Sequence, residues 1–227
     1  MDNIKRVLIV IPARKGSSFK GKNLYPCNNI PLIDYTLESS RVNYPHDTII
    51  STNCEFISSH VTDLNFKLDL RSEKLSNDKA TLDSVMLYMA EKYPLFDTFV
   101  CLPPTSPLRN RFHVEEALAK YLSEHADSLI SVVPEYKSIW SSSDERVRPL
   151  VERTKNRQDS QPVYICNGAI FITSKEILLK VKRRMGGRVS LYSMKQEDSV
   201  DVHNLDDIKL AEYYLTKPSN TIIGAIE

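Results

Sequence analysis

The sequence lacks a long apolar run, an excess of charge of either sign and any C-x-x-C pair of cysteines. Its first apolar run, residues 7–11, ends at a proline and is too short for a signal-peptide core or a membrane span. Thirty basic and twenty-nine acidic residues give a net charge of +1, which excludes a nucleic-acid partner held by bulk charge. Any cationic site in this chain must therefore be local.

The four cysteines are widely separated, which argues against both a zinc site and a disulfide framework. Free thiols in a reducing compartment are the default for such spacing, so we expect a cytoplasmic protein. The basic stretch 180–184 has the composition of a nuclear import tag. The last turn of a helix, stabilised by its dipole and ended by Gly186 and Gly187, explains the same residues more simply.

The chain of 227 residues suits a single domain, 1–227, large enough to bury a core without disulfide or metal staples. Strand-like and helix-like stretches alternate through most of it. This alternation predicts an α/β fold with a mostly parallel sheet and helices on both faces. The predicted strands are 7–11, 48–51, 66–70, 98–102, 129–133, 163–173 and 189–193, and the predicted helices are 32–42, 55–62, 81–92, 111–122, 175–184 and 205–215.

The alternation breaks over residues 134–162, which contain Trp140 and then a heavily charged run from 144 to 157. A connection of this length is unusual inside a compact domain unless it carries function or contacts a partner. A solvated loop is the alternative.

A loop rich in small and basic residues follows the first predicted strand. A Val/Ile run bounded by proline and glycine is typical of a strand buried on both faces, and the loop after such a strand lies where open α/β sheets bind ligands. Small residues let backbone N–H groups approach a polyanion, and the cations supply matching charge. The loop therefore predicts a phosphate site, with an ordinary solvated turn as the alternative. Its spacing fits neither a P-loop nor G-x-G-x-x-G, which disfavours ATPase and dinucleotide-binding functions. Its cations are Arg14, Lys15, Lys20 and Lys22.

Four further groups of polar residues fall at the ends of later predicted strands. Each has a structural explanation when taken singly: a surface arginine, a proline-stiffened turn, a bulge, or an acid at a helix start. Their order along the chain is much more specific than any one of them. They are Arg71 with Asp78 and Ala80, the turn 103–109, Arg157 and Gln158 with Tyr164 and 167–169, and the segment 198–203.

In this order the groups resemble motifs of the CMP-sialic acid synthetases, the acylneuraminate cytidylyltransferase family. The resemblance spans about residues 5 to 215. It implies a Rossmann-like nucleotidyltransferase fold with a small dimerisation insertion. The matching motifs are A-R-x-x-S…K-N at 13–23, R…D-x-A at 71–80, P-T-S-P-L-R at 104–109, R-Q at 157–158 with N-G-A at 167–169, and D-S-V-D-V-H at 198–203.

The resemblance implies an enzyme that joins CTP to the C2 hydroxyl of a nine-carbon α-keto sugar acid, a nonulosonic acid, and releases pyrophosphate. Catalysis of such an in-line displacement is mostly positioning and charge neutralisation. It also implies Mg²⁺, with Mn²⁺ as a possible substitute, on the carboxylate of Asp201. The implied catalytic residues are Arg14, Lys22 and Asp201; the nucleotide-binding residues Arg14, Ser17, Lys22, Asn23, Arg71 and Ala80; and the sugar-binding residues Thr105, Ser106, Arg109, Arg157, Tyr164 and Asn167.

The resemblance gives the break at 134–162 a use as a dimer contact that reaches into the neighbouring subunit's site. Tyr136 and Trp140 would anchor such a homodimer interface, and Lys137 would cross to the other subunit.

Three departures from the family pattern qualify these expectations. The opening loop is one residue shorter, with Ser18 where a lysine is usual, and Pro103 replaces a glutamine near the sugar. His203 stands where a second metal-binding aspartate would be, and imidazole is a poor magnesium ligand. Either one carboxylate suffices, or Asp206 or Asp207 contributes.

Two alternatives to the nine-carbon substrate remain open from the sequence. One is a cytidylyltransferase for an eight-carbon keto sugar acid or for legionaminate-type acids. The other is a catalytically idle paralogue that only binds nucleotide or sugar, which His203 favours and the full set of cations with Asp201 disfavours.

Overall fold

A seven-stranded sheet flanked by helices dominates the computed structural model, which describes residues 5–15, 19–143, 146–151 and 161–217. The strands, in chain order, are β1 (Val7–Pro12), β2 (Pro26–Cys27), β3 (Ile30–Pro31), β4 (His46–Thr52), β5 (Lys67–Leu70), β6 (Thr98–Cys101), β7 (Ser128–Glu135), β8 (Ile139–Ser143), β9 (Arg146–Val151), β10 (Val163–Ser174) and β11 (Val189–Ser193). The helices are α1 (Leu32–Ser39), α2 (Glu55–Asp63), α3 (Leu82–Lys92), α4 (Arg111–Ser123), α5 (Lys175–Val181) and α6 (Leu205–Leu215).

The strand order of the main sheet is β11-β7-β10-β6-β1-β4-β5. Only β10 runs antiparallel to its neighbours, β6 and β7, and the other pairs in this sheet are parallel. The chain passes from β1 to β4 and β5 on one side and then returns to place β6 on the other side of β1. This reversal puts a crevice at the carboxyl end of β1, the usual ligand position in such sheets. The predicted α/β class with a mostly parallel sheet is confirmed.

The first strand is buried on both faces, as its apolar run predicts. Residues 7–11 have no exposed surface, and their side chains alternate between two apolar clusters. Val7, Ile9 and Ile11 pack with residues of α1, α2 and α4. Leu8 and Val10 pack on the opposite face with residues of α3 and α5. Helices on both faces therefore fix β1 in the middle of the core.

Most predicted elements are present, with shifts at their ends. The predicted helix 175–184 ends at Val181, because Lys182 adopts the left-handed conformation (φ 59°) and its N–H donates to the carbonyl of Leu178. The break at 134–162 contains the β8–β9 hairpin, a separate two-stranded sheet, and its residues 144–145 and 152–160 lie outside the described ranges. No helix within those ranges is both long and apolar enough to cross a membrane.

Strand β10 carries a bulge that interrupts its pairing with β7. The register shifts between Cys166 and Phe171, and Gly168 has a φ of +73°, a conformation that residues with a Cβ rarely adopt. The bulge holds Asn167 nearly buried at the sheet edge.

Arg109, a predicted sugar-binding residue, lies in the interior of the protein. Its side chain is 1% exposed, and its guanidinium donates to four neutral acceptors. Burial lowers its pKa to about 9, so it stays charged at neutral pH. With its donors committed to the protein, Arg109 ties the turn after β6 to α1 and to the bulge of β10. The acceptors are Ser39 Oγ (3.1 Å), Thr36 Oγ1 (2.7 Å), Pro103 O (3.1 Å) and Ala169 O (2.7 Å).

We expect Arg109→Ala to lower the free energy of unfolding by about 3–5 kcal/mol, because several buried acceptors lose their donor at once. The measurement is urea denaturation followed by circular dichroism. Arg111→Ala is the matched control, since Arg111 is exposed at the start of α4, and its effect should stay within about 0.5 kcal/mol. Equal denaturation midpoints for the two variants would contradict the structural role of Arg109.

Candidate functional site

Two hydrogen bonds position the loop after β1 at the edge of the sheet. The N–H of Ala13 donates to the carbonyl of Ser51 (2.9 Å), which continues the β1–β4 pairing one residue beyond the strand. Asn23 then donates from Nδ2 to the carbonyl of Arg14 (3.0 Å). Asn23 therefore shapes the loop that carries Arg14. The predicted contact residue Ser17 lies outside the described residues.

Lys22 is a buried cation at this edge, with 7% of its surface exposed. Its Nζ donates to the carbonyl of Val202 (2.9 Å), the residue that follows Asp201. Burial lowers the pKa of Lys22, the negative charge of Asp201 raises it, and the positive charge of Arg14 lowers it. The structure thus brings the predicted Arg14, Lys22 and Asp201 into one electrostatic neighbourhood.

Arg71 adds a third cation after β5. Its backbone N–H donates to the carbonyl of Thr52 (2.8 Å), and its side chain is buried. Burial lowers its pKa to about 10, Asp69 opposes this shift, and the charge of Arg14 adds to it. Within the described residues Nε of Arg71 has no hydrogen-bond partner. A buried guanidinium with a free donor beside a second arginine is suited to an anionic ligand.

Asp78 contacts this group of cations through Arg14. The sequence motif at 71–80 contains Asp78, but the sequence predicted no role for it. One of its carboxylate oxygens pairs with a terminal nitrogen of Arg14 at 2.7 Å, although the Asp78 side chain is 93% exposed. The Asn77 side chain folds the same loop by accepting from the N–H groups of Lys79 and Ala80. The predicted nucleotide residue Ala80 therefore belongs to the loop that covers Arg14.

Asp201 is placed by contacts from three directions. The N–H of Val202 donates to the carbonyl of Thr105 (2.8 Å), which joins the segment of Asp201 to the turn after β6. Gly168 of the β10 bulge packs so closely that a Cβ there would lie 3.0 Å from Oδ2 of Asp201. His203 approaches the same oxygen with Nε2 at 3.0 Å. In the described part of the chain Oδ1 of Asp201 has no hydrogen-bond partner.

Asn167 connects the β10 bulge to the segment of Asp201. Its Oδ1 accepts from Ser131 Oγ (2.6 Å), and its Nδ2 donates to Ser199 Oγ (2.9 Å). Both polar atoms of this amide make hydrogen bonds within the protein, so Asn167 joins the β10 bulge to the segment of Asp201.

Both alternative carboxylates have partners of their own. Oδ2 of Asp207 accepts from the N–H groups of His203 (2.8 Å) and Asn204 (2.9 Å), which caps helix α6. Asp206 pairs with Lys209 at the surface. Among these three carboxylates, Asp201 is the one with a buried oxygen, Oδ1, that has no hydrogen-bond partner within the described residues.

The donor set fits a magnesium ion that shares its ligands with a substrate. Mg²⁺ is commonly held by one or two carboxylates together with substrate phosphates and water. Asp201 supplies one such carboxylate, with the unpartnered Oδ1. Across the described residues no group of three or more His, Cys, Asp or Glu side chains is arranged to hold a metal alone. A metal at this site would therefore depend on phosphate oxygens.

The structure places only some of the predicted sugar-binding residues close to Asp201. Thr105 contacts the segment of Asp201 through its carbonyl, and Oγ of the neighbouring Ser106 is buried without a hydrogen-bond partner among the described residues. Tyr164 is half-exposed on β10, opposite Pro134. Arg157 lies outside the described residues, and Arg109 is committed to the interior.

A cavity of about 210 Å³ beside Asp201 was not foreseen from the sequence. Its walls come from the end of β7, from β10 before the bulge and from the segment before Asp201. Asn167, Ser199 and Asp201 in this lining belong to the motifs at 167–169 and 198–203, whereas the other lining residues carry no motif. The lining includes Val133, Glu135, Ile165, Cys166, Gln196 and Asp201.

Comparison with curated proteins finds sequence relatives over most of the chain. The N-acylneuraminate cytidylyltransferase of Streptococcus agalactiae serotype V is 31% identical over 210 residues, which cover 88% of this chain and 51% of that protein. The protein of the same name from Escherichia coli O18:K1:H7 is 29% identical, over 91% of this chain and 51% of that protein. The chain thus spans about half the length of these curated relatives. The post-translational flagellin modification protein B of Campylobacter coli is 26% identical, over 93% of this chain and 96% of that protein.

Solved structures share the fold at low sequence identity. A CMP:2-keto-3-deoxy-manno-octonic acid synthetase complexed with CTP superposes with a TM-score of 0.72 at 14% identity, covering 92% of this chain and 98% of that one. The 4-diphosphocytidyl-2C-methyl-D-erythritol synthase from Anaerococcus prevotii gives a TM-score of 0.70 at 13% identity, over 94% and 97% of the two chains. These matches confirm the predicted nucleotidyltransferase fold.

A family model described as cytidylyltransferase matches residues 8–213. The match includes each of the described site segments, from the loop after β1 to the segment of Asp201, and it confirms the resemblance that the motifs predict. The chain therefore belongs to the cytidylyltransferase family.

Proposed function

We propose that this protein transfers a cytidylyl group from CTP to a nine-carbon α-keto sugar acid of the N-acylneuraminate class, giving the CMP-sugar, pyrophosphate and a proton. The observation that carries the proposal is that Arg14, Lys22 and Arg71 lie close to one another at the carboxyl edge of the sheet, with Asp201 next to Lys22. Family membership and the names of the curated relatives support CTP and this class of acceptor.

The residues of the site have separable tasks in this reaction. Arg14, Lys22 and Arg71 supply positive charge for a triphosphate, and burial of the last two strengthens their attraction for an anion. The acceptor hydroxyl attacks the α-phosphorus while the bond to the β-phosphate breaks, so positioning of the two substrates is the main requirement. Magnesium, held by Asp201 and phosphate oxygens, would neutralise charge on the phosphates. Asn167, Thr105 and Gly168 keep Asp201 in place.

In this proposal the protein acts as a homodimer, and the β8–β9 hairpin forms the contact between the subunits. Trp140 and Val147 lie on one face of this hairpin and are 56% and 67% exposed. Exposed aromatic and aliphatic side chains on a small hairpin are typical of an interface. The cytoplasmic location remains a prediction from the spacing of the cysteines.

The first test of the proposal is pyrophosphate release from CTP and Mg²⁺ with a panel of nine-carbon and eight-carbon keto sugar acids. We expect release with a nine-carbon acid of the N-acylneuraminate class. Release with eight-carbon acids alone would show that the acceptor is an eight-carbon acid and not a nine-carbon one. Folded protein that binds CTP and turns over none of the acids would identify an idle paralogue instead.

Asp201→Asn should lower turnover by about a hundredfold or more, because the amide keeps the shape of the side chain but removes its charge. The same assay measures the loss, and an unchanged melting temperature shows that the fold is intact. Asp206→Asn is the matched control, since Asp206 faces solvent beside Lys209. Full turnover in the Asp201 variant would remove this carboxylate from the mechanism.

Trp140→Glu should convert the homodimer to a monomer, because a charge would be buried in the proposed interface. Size-exclusion chromatography with light scattering gives the mass directly. Phe56→Glu, at a residue 74% exposed on α2, serves as the control and should keep the parental mass. A parental mass in both variants, or a monomeric parent, would rule out the hairpin as the dimer contact.

A further inference from the structure

Helix α4 contacts the segment of Asp201 through a histidine that lies outside the proposed site. Nε2 of His113 is 3.7 Å from Oδ2 of Asp198, which precedes Asp201 by three residues. Both side chains are largely buried, with 17% and 10% of their surfaces exposed. Asp198 ends a short 3₁₀ turn, Gln196–Asp198, that leads directly into the segment of Asp201. A contact at Asp198 therefore acts on the start of this segment.

The cap of α4 determines which nitrogen of His113 carries the proton. The backbone N–H of Asn110 donates to Nδ1 of His113 (3.2 Å), and the N–H of His113 donates to Oδ1 of Asn110 (3.1 Å), which completes a capping box. Because Nδ1 accepts a hydrogen bond, it is unprotonated, and the neutral ring carries its proton on Nε2. The N–H of Nε2 is thus the donor nearest to the carboxylate of Asp198.

Burial keeps the His113 ring neutral. It lowers the pKa of His113, the charges of Asp198 and Glu116 act against this shift, and those of Arg109 and Lys195 add to it. Burial also raises the pKa of Asp198, and His113 and then Lys195 oppose that shift. At neutral pH His113 can therefore accept at Nδ1 and donate from Nε2 at the same time.

The turn after β6 and helix α4 together contact the segment on both sides of Asp201. The carbonyl of Thr105, in the turn that leads into α4, accepts from the N–H of Val202 (2.8 Å), the residue after Asp201. His113, in the first turn of α4, meets Asp198 before it. Loss of either contact would leave one side of Asp201 without its support from this part of the chain.

We propose that His113 is a positioning residue for the cytidylyl transfer: its Nε2–H holds Asp198, and through Asp198 it sets the position of the Asp201 carboxylate. The proposal rests on the proposed function and deepens it. Asn167 and Lys22 hold other points of the same segment, so loss of the His113 contact shifts Asp201 without releasing the segment. The effect is therefore expected on kcat rather than on folding or on KM.

Two amide substitutions at position 113 separate positioning from the capping of α4. The amide nitrogen in His113→Gln reaches the place of Nε2 and keeps a donor for Asp198, whereas the amide oxygen in His113→Asn reaches the place of Nδ1 and keeps only the cap. We expect His113→Asn to lower kcat by about tenfold, with each KM changed by less than about threefold. His113→Gln should keep kcat within about threefold of the parental value. Capping alone would give the reverse order.

Asp198→Asn tests whether His113 acts through Asp198. It should lower kcat by about the same factor as His113→Asn, and the double variant should be no slower than either single variant, because all three lose one and the same contact. His60→Asn is the matched control. It breaks another His–Asp pair, between Nε2 of His60 on α2 and Oδ1 of Asp34 on α1 (2.6 Å), and should leave kcat at its parental value.

The proton on Nε2 can be observed without any substrate. The long-range proton–nitrogen NMR spectrum of isotope-labelled protein at neutral pH should contain one neutral histidine ring, protonated on Nε2, that disappears in His113→Gln. A ring at this position that is protonated on Nδ1, or on both nitrogens, would overturn the proposal.

The kinetic outcomes distinguish this proposal from the proposed function. Parental kcat in His113→Asn, a larger loss in His113→Gln than in His113→Asn, or additive losses in the double variant overturns the positioning role and leaves the proposed function standing. Parental protein that turns over none of the acids overturns both. Should His113→Asn fail to fold, Asp198→Asn takes its place, and parental kcat in that variant overturns the positioning role.

Discussion

The hydrogen bond from Nζ of Lys22 to the carbonyl of Val202 joins parts of the chain that are 180 residues apart. The N–H of the same residue, Val202, donates to the carbonyl of Thr105, so its backbone is held on both sides. Asp201 precedes this clamped residue, and its segment is thereby fixed relative to both the residues that follow the loop after β1 and the turn after β6. The bond from Lys22 therefore links the part of the chain that carries the cations to the segment that carries Asp201.

Placing Arg14, Lys22 and Arg71 close together is electrostatically unfavourable. Arg14 lies close enough to lower the pKa of both Lys22 and Arg71, and burial lowers these two values further. Asp69 acts against the shift of Arg71, and Asp201 and Asp207 act against that of Lys22, yet both pKa values stay lowered because burial is the largest cause. The Arg14–Asp78 pair involves a carboxylate almost fully exposed to water, and such surface pairs contribute little to stability. Breaking the Arg14–Asp78 pair therefore costs little free energy.

The capping of α6 gives Asp207 a structural task close to Asp201. Asp207 follows Asp201 closely in the chain, but its carboxylate closes the capping box with Asn204 and also accepts from the N–H of His203. Moving it toward a metal would leave backbone donors of the helix start unpaired. His203, in turn, engages Oδ2 of Asp201 and leaves Oδ1 without a partner in the described structure.

The sequence predicts where the site lies better than which side chains face it. A Val/Ile run identifies β1, and the rule that ligands bind beyond the carboxyl ends of strands places Arg14 and Arg71 at one edge. Arg109 sits at the same edge by that rule, yet its guanidinium points into the core, because its acceptors come from α1 and from the bulge of β10. Those acceptors lie 60 to 73 residues away in sequence, so no local pattern distinguishes a buried arginine from one that binds substrate. The same argument applies to the uncharged Cys166, since only the packing of β7 against β10 makes it the wall of a cavity.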